Sequence, residues 1–595
     1  MAKYVSKEFS ILNARKFKDS VGSTQKDQVG NSTILYAVLG RNRAYTDEGN
    51  PDTPIETDKD KQYQLWRDAV GGRKITAGDV EHVIPRYNWT AGTVYAMYRD
   101  IDKTMYERSF YVITSENNVY KCINNNKGAA STVEPNGYST KVFTLSDGYT
   151  WKYMYTVSLG QADKFLTASY MPVRTLANTD ASAEGDRQLQ IQNAAANGSI
   201  EVIETFNVGS GYLSLSNTIA ESATTTTVKI STASGSTPSP VDNIYNGSSI
   251  YLISGVGEGQ LRRITNYVGS TKTLTVNTAW QTLPNTDTKM IISPTVTVIG
   301  DGTNAKAYSR TLSASGGIAN IFMITTGTGY TQANALITAN SVHGLGATAN
   351  VVLSPVGGHG KDAVRELGGD KLMLNAQFAG TLGVSATGKG YIPANVDFRS
   401  VSVLKNPILK VDEDNDLISI ERAANTTNSP ANLRLTTELT ISYDSTDADF
   451  LLPANQGLES GSLITHERAR LDAALGTLQF VTELSPTARD TNAMSNAVKS
   501  ANATVVYIRD DETQSDASFY TVYINNIGSY GGAGIPWTKD DEILKSSSAT
   551  KVATVSTING PEANTYSGEF IHTENISKVT RAEDQTEDIK IVLDF

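Results

Sequence analysis

The chain has 595 residues, 39% hydrophobic and 19% charged, and a formal net charge of −11. That length exceeds what one hydrophobic core serves and implies about four domains, while the composition excludes a disordered chain. No stretch approaches the roughly twenty apolar residues of a membrane-spanning helix, and an acidic balance without a Lys/Arg run argues against nucleic acid as the main partner.

Glycine (48) and tyrosine (28) are abundant and helical periodicity is sparse. The expected fold class is mainly β with minor α: several β-sandwich-like domains with a few short helices. The N-terminal MAKYVSKEFSILNARKF lacks the apolar core and cleavage site of a secretory signal. Cys122 is the only cysteine, which rules out an internal disulfide framework and a cysteine-based zinc site.

In chain order, residues 10–22 predict a short helix closed by Gly22, and Thr33–Leu39 a strand. A polar loop covers Arg41–Lys61. A second helix carries Leu65, Trp66, Ala69 and Val70 on one side and is stopped by Gly71-Gly72. Val83-Ile84-Pro85 is extended. Phe110 to Ile123 reads as a hairpin turning at Glu116-Asn117-Asn118, and Asp147-Gly148 turns into the aromatic strand Tyr149–Tyr155. Further strands are expected at Asp397–Leu404, Arg434–Tyr443, Thr504–Ile508 and Phe519–Ile524. Helices are expected at 464–478, striped by Leu471, Ala474, Leu475 and Leu478, and weakly at 485–501. Glu569–Ile571 is a short strand followed by a turn at Glu574-Asn575. The chain closes with Ile589, Ile591, Leu593 and Phe595 alternating with Lys590, Val592 and Asp594, a strand with one buried face. Such a strand pins a terminus that would otherwise fray.

The middle third contains a repeat. Gly198–Tyr212 aligns without a gap on Gly316–Tyr330, each ending in Gly-x-Gly-Tyr, and a third Gly-x-Gly-Tyr stands at Gly388–Tyr391. GLGATANVVL (344–353) follows the second copy closely, whereas its counterpart GDGTNAKAYS (300–309) lies far from the first. A nested β module at about 218–293 accounts for that distance. Repeat units of this size cannot bury a face alone and must pack on each other. The organisation expected is 1–180 as the N-terminal part of a core, 181–360 as an inserted β-repeat region, and 361–595 as the C-terminal part closing back on the first.

Candidate chemistry is sparse. Gly383–Gly390 nearly spells a phosphate loop, but Gly390 replaces the required hydroxyl and Tyr391-Ile392-Pro393 disfavours the following helix. Asp412, Asp414 and Asp416 have the spacing of a calcium loop, but Leu417 and Ala423 occupy the glycine and glutamate positions, so a solvated acidic turn is the better reading. Among His82, His343, His359, His466 and His572, none has metal-ligand spacing on a helix. His359, flanked by glycines and near Asp362, is the most suggestive, yet a loop histidine without a partner is usually structural. Trp66, Trp89, Trp151, Tyr153 and Tyr155 read first as core and second as anchors of a subunit interface. No catalytic, cofactor-binding or metal-binding residue is assigned, and no enzymatic activity is expected.

The tail words SGEFIHTEN and AEDQTEDIKIVLDF resemble the gene product 8 family, the baseplate wedge proteins of T-even-like contractile-tailed phages. VGSTQKDQVGNSTILYAVLGR, VIPRYNW, SDGYTWKYMYTV and Asp397–Pro407 resemble the same family in the same order; the middle third departs from it and looks more loosely like β modules of phage tail proteins. The resemblance implies a virion protein of the tail baseplate, assembled in the host cytoplasm. It implies a homodimer in each wedge that contacts other wedge subunits and takes part in the rearrangement that triggers sheath contraction. A second reading is a receptor- or glycan-binding tail protein acting through the repeat region; a third is a polysaccharide hydrolase or lyase, for which no carboxylate pair stands out.

Overall fold

A computed structural model describes residues 5–21, 33–54, 57–178, 182–232, 237–312, 315–339, 343–383, 389–411, 420–423, 429–443, 463–466, 470–472, 477–482, 499–509, 519–530, 539, 542–545 and 551–595. Strands account for 44% and helices for 13%, so sheets carry the cores. The chain divides into two compact units, Met1–His82 with Asp370–Phe595, and Val83–Gly369. The division thus falls at Val83 and Gly369 rather than at 181 and 360, and residues 83–180 group with the repeat region.

In the first unit the terminal alternation becomes the strand Thr586–Asp594. It pairs antiparallel with Lys371–Ala379 in unbroken register, Lys371 opposite Asp594 and Ala379 opposite Thr586. A five-stranded antiparallel sheet runs Asn432–Arg434, Ala69–Ile75, Leu35–Gly40, Asp397–Lys405, Glu569–Thr580. Its central strand is buried on both faces. Leu35, Ala37 and Leu39 join Leu372, Leu374, Phe378, Val403 and Ile591 in one core, while Tyr36 and Val38 join Trp66, Leu404, Leu433 and Phe570 in another. A period of two therefore serves two cores from one strand. The helix Lys7–Ser20 covers the first core, with Phe17 against Phe595 at 5.3 Å between ring centroids.

Three local expectations are corrected. The second helix, Asp58–Asp68, ends before Ala69, and Gly71-Gly72 lie inside a strand. A Cβ on Gly71 would sit 2.8 Å from Ile392 and 3.2 Å from the Leu433 carbonyl, so glycine serves close packing there instead of a helix cap. The region 464–478 holds strands Leu463–His466 and Arg470–Asp472 and the start of Thr477–Thr482. They belong to a closed eight-stranded barrel with Lys499–Arg509, Phe519–Tyr530, Thr437–Tyr443, Glu542–Lys545 and Lys551–Asn559. Sheet pairing there overrode a weak helical stripe, and most of 485–501 lies outside the described residues. Glu569–Thr580 is one continuous strand; register shifts absorb the expected turn.

In the second unit the predicted hairpin forms as Tyr111–Ile113 and Asn118–Asn124, with Asn117 at φ 59° in its turn. Thr150–Thr156 pairs beside it. The nested module is a closed six-stranded barrel spanning Leu215–Ser293, with its own core of Ile250, Leu252, Tyr267, Met290 and Ile292 among others. The repeats form a six-stranded sheet in the order Ile318–Thr328, Thr303–Thr311, Thr295–Gly300, Ala333–Thr338, Thr348–Leu353, Ile200–Asn207. This order is that of a local dyad between the two central strands.

The two copies exchange contacts across that dyad. The Tyr212 N–H donates to the Gly316 carbonyl at 2.9 Å, and the Tyr330 N–H donates to Gly198 at 3.2 Å. The Tyr212 ring lies against Gly344 of the other copy, and Tyr330 against Gly302. Each Gly-x-Gly-Tyr therefore needs the glycine arch of its partner repeat. In the third Gly-x-Gly-Tyr, Gly388 lies outside the described residues and Tyr391 belongs to the first unit, where it packs with Val396, Val506 and Tyr523.

At Gly344 (φ +84°) a Cβ would sit 2.2 Å from the Tyr212 ring, whereas at Gly329 (φ +78°) it would meet nothing within 4 Å. Gly344→Ala is expected to cost about 2–4 kcal/mol, from backbone strain plus overpacking, and Gly329→Ala about 1–2 kcal/mol from backbone strain alone. Urea unfolding of the two variants checks the difference.

Candidate functional site

The sequence places two lysines in apolar strands, Lys121 in NVYKCIN and Lys152 in TWKYMYT. The pairing of Asn118–Asn124 with Thr150–Thr156 sets them opposite each other, and both are buried. A buried ammonium requires a carboxylate or a full set of acceptors. The chain supplies one from Ala363–Glu366, a short helix whose N-cap Asp362 accepts from the Arg365 N–H. Lys121 Nζ lies 2.8 Å from Glu366 Oε2 and 2.9 Å from His359 Nδ1. The Lys121, Glu366 and His359 side chains are 0%, 1% and 2% exposed.

The second oxygen of Glu366 is engaged as well. It accepts from the Gly360 N–H at 2.7 Å and the Asp362 N–H at 3.3 Å, clasping the loop that carries His359. The Tyr98 ring stands edge-on to His359 at 5.0 Å, and Lys121 Nζ lies 4.0 Å over that ring. Lys152 donates to the Thr140 carbonyl and faces Glu201 and Glu366. Burial lowers the pKa of Lys121, with Glu366 opposing. Burial, then Lys121 and Lys152, holds His359 well below its ordinary value, and burial raises Glu201. His359 is therefore neutral at pH 7, and its Nδ1 accepts from the Lys121 ammonium. The Lys121–His359–Glu366 cluster is sealed from solvent and fixes loop to hairpin.

Of the residues singled out by sequence, His359 alone enters this cluster, and through Lys121 and Glu366, with Asp362 only at the helix cap. His82 is buried in Val80–Pro85, His343 lies half-exposed in a loop, His466 is on a strand, and His572 is half-buried on Glu569–Thr580. Cys122 is buried and its thiol pKa is raised, chiefly by desolvation. The Gly390 N–H that a phosphate would need is given to Glu562 at 2.6 Å. Residues 384–388 and Asp412, Asp414, Asp416 and Leu417 lie outside the described residues, and Ala423 ends a strand paired with Ile408–Val411. Trp66, Trp151, Tyr153 and Tyr155 are core residues, while Trp89 is half-buried and donates to Ser131 at 3.1 Å. Among the described residues no group of three His, Cys, Asp or Glu is placed to hold a metal, and no helix is long and apolar enough to cross a membrane.

Lys121, Lys152, Glu201 and Glu366 escaped the sequence reading. The available signal was the pair of lysines inside apolar aromatic strands, which demands buried partners. No protein-family model matches the chain, and no curated protein matches it.

Because His359 is held neutral in the fold but titrates near 6.5 when unfolded, the unfolded chain takes up a proton that the folded chain refuses as pH falls below 6.5. Stability should drop from about pH 6.5 downward by up to about 1.4 kcal/mol per pH unit from this residue. Unfolding free energies at pH 7 and 5.5 should differ less in His359→Gln, which keeps an acceptor for Lys121 without the titration.

Proposed function

We propose that the chain is a structural subunit of a contractile-tail baseplate wedge, working through contacts with a second copy and with neighbouring wedge proteins, with no bond-making step. In this reading it resides in the virion and takes part in the rearrangement that triggers sheath contraction. The observation that carries the reading is the ordered set of wedge-like words at 20–40, 83–89, 146–157, 397–407 and 566–595. The fold supports it in one respect: Leu35–Gly40, Asp397–Lys405 and Glu569–Thr580, from three of those stretches, are consecutive neighbours in one sheet. Three of the words, distant in sequence, thus lie in one sheet, while those at 83–89 and 146–157 belong to the second unit.

The mechanism is one of interfaces. A subunit repeated around a ring gains from multivalency what each contact lacks. Triggering requires contacts that differ between two states, since equal affinity for both shifts nothing. Each durable contact should bury on the order of 1,200–2,000 Å². Sedimentation velocity at micromolar concentration is expected to give a dimer; a stable monomer counts against the reading.

One observation favours the second reading, glycan binding through the repeat region. Tyr251, Tyr308 and Phe322 form a half-exposed row, with ring centroids 4.7 and 5.3 Å apart, and Arg310 stands 5.2 Å over Phe322. If the row holds sugars, full-length protein should bind host surface polysaccharide and Tyr308→Ser should abolish binding without altering the fold.

A further inference from the structure

The Lys121–His359–Glu366 cluster holds the three parts of an amide-forming site. The first is a nucleophile beside an electrophile. Lys121 Nζ lies 2.8 Å from Glu366 Oε2, which puts it about 3–4 Å from the carboxyl carbon, in near-attack range. The second is a proton acceptor. Neutral His359 presents Nδ1 to the same nitrogen at 2.9 Å and stands 4.0 Å from Oε2, within reach of both reacting atoms. The third is a pair of donors on the other oxygen. The Gly360 and Asp362 N–H groups meet Glu366 Oε1 at 2.7 and 3.3 Å, where a tetrahedral intermediate carries its negative charge. A structural ion pair needs only the first of these.

The surroundings favour the covalent product. The three side chains are 0–2% exposed, so the water that would hydrolyse an amide is kept out. Burial, which lowers the pKa of Lys121, favours the uncharged amine that attacks. An amide removes one cation and one anion together. It leaves Lys152 facing Glu201, so no buried charge loses its partner.

We propose that the folded chain joins Lys121 Nζ to Glu366 Cδ in an intramolecular isopeptide bond, with His359 as the proton carrier. A proton passes from the Lys121 ammonium to Glu366 Oε2, leaving an amine and an acid. The Nζ lone pair attacks Cδ, and His359 Nδ1 takes a second proton from Nζ. The Cδ–Oε2 bond then breaks, His359 returns that proton to Oε2, and one water leaves. No oxidant or co-reactant is needed. The bond is a one-time maturation within one chain and is independent of the wedge reading. The ring it closes, 121–366, contains both repeats and the nested barrel.

The test is the intact mass of the full chain, purified and denatured. It is expected to fall one water short of the sequence mass. A tryptic digest should contain peptide 109–127, uncut at the acylated Lys121, joined to peptide 366–371. Lys121→Arg, which keeps a cation for Glu366 without the nucleophile, should show its full sequence mass, folded or not. In timed cell-free synthesis His359→Gln, which accepts from Lys121 but cannot carry the proton, should lose the water about a hundredfold more slowly. The full sequence mass in the unaltered chain overturns the proposal. So does a missing water that maps elsewhere, such as a succinimide at Asp147-Gly148, or one that persists in Lys121→Arg. An unchanged rate in His359→Gln overturns the role given to His359.

Discussion

At the corner between the last two strands the Arg581 guanidinium is buried, 1% exposed, and each of its three nitrogens donates a hydrogen bond. Its Nε donates to Glu587 at 3.1 Å, and its terminal nitrogens donate to the carbonyls of Ile392 and Pro393 at 3.0 and 2.7 Å and to that of Gly380. Its own amide donates to Val396. A planar, permanently charged fork suits such a site because it satisfies several fixed carbonyls at once. The chain leaves one sheet at Thr580 and enters the other at Thr586, so this side chain fixes the arch that brings both sheets over one core. Removing it would leave Glu587 without its counter-ion and strand the carbonyls, a cost of the order of 3–5 kcal/mol.

The second unit rests on a different constraint. Its repeats are halves of one sheet, because each tyrosine lies against glycines of the other copy. The nested barrel sits between Tyr212 and Thr295, where the second copy needs only the short step from Tyr330 to Ala333. An insertion there leaves the exchanged contacts intact. A barrel with its own core asks little of the host sheet beyond closely spaced ends.

The buried Lys121–His359–Glu366 cluster belongs with these devices. It joins the hairpin to a loop more than two hundred residues later, and its charges are matched by partners instead of water. For a protein whose proposed work is to hold and release neighbours, such internal clamps are consistent with a rigid unit that moves as a body.

Sequence alone determined the β class, the terminal strand, the hairpin at Asn117, the repeat and its nested module, because each is written as local periodicity or glycine-marked turns. It misread 464–478 and Gly71-Gly72, where pairing and close approach of distant strands decide the conformation. The histidine at 359 was legible as unusual, but its partners were not: Lys121 and Glu366 are 245 residues apart. Only tertiary structure could pair them, because a buried charge selects its counter-ion by proximity in space. The same holds for Thr586–Asp594: alternation marks a strand, but its pairing with Lys371–Ala379 is settled only when the sheet is assembled.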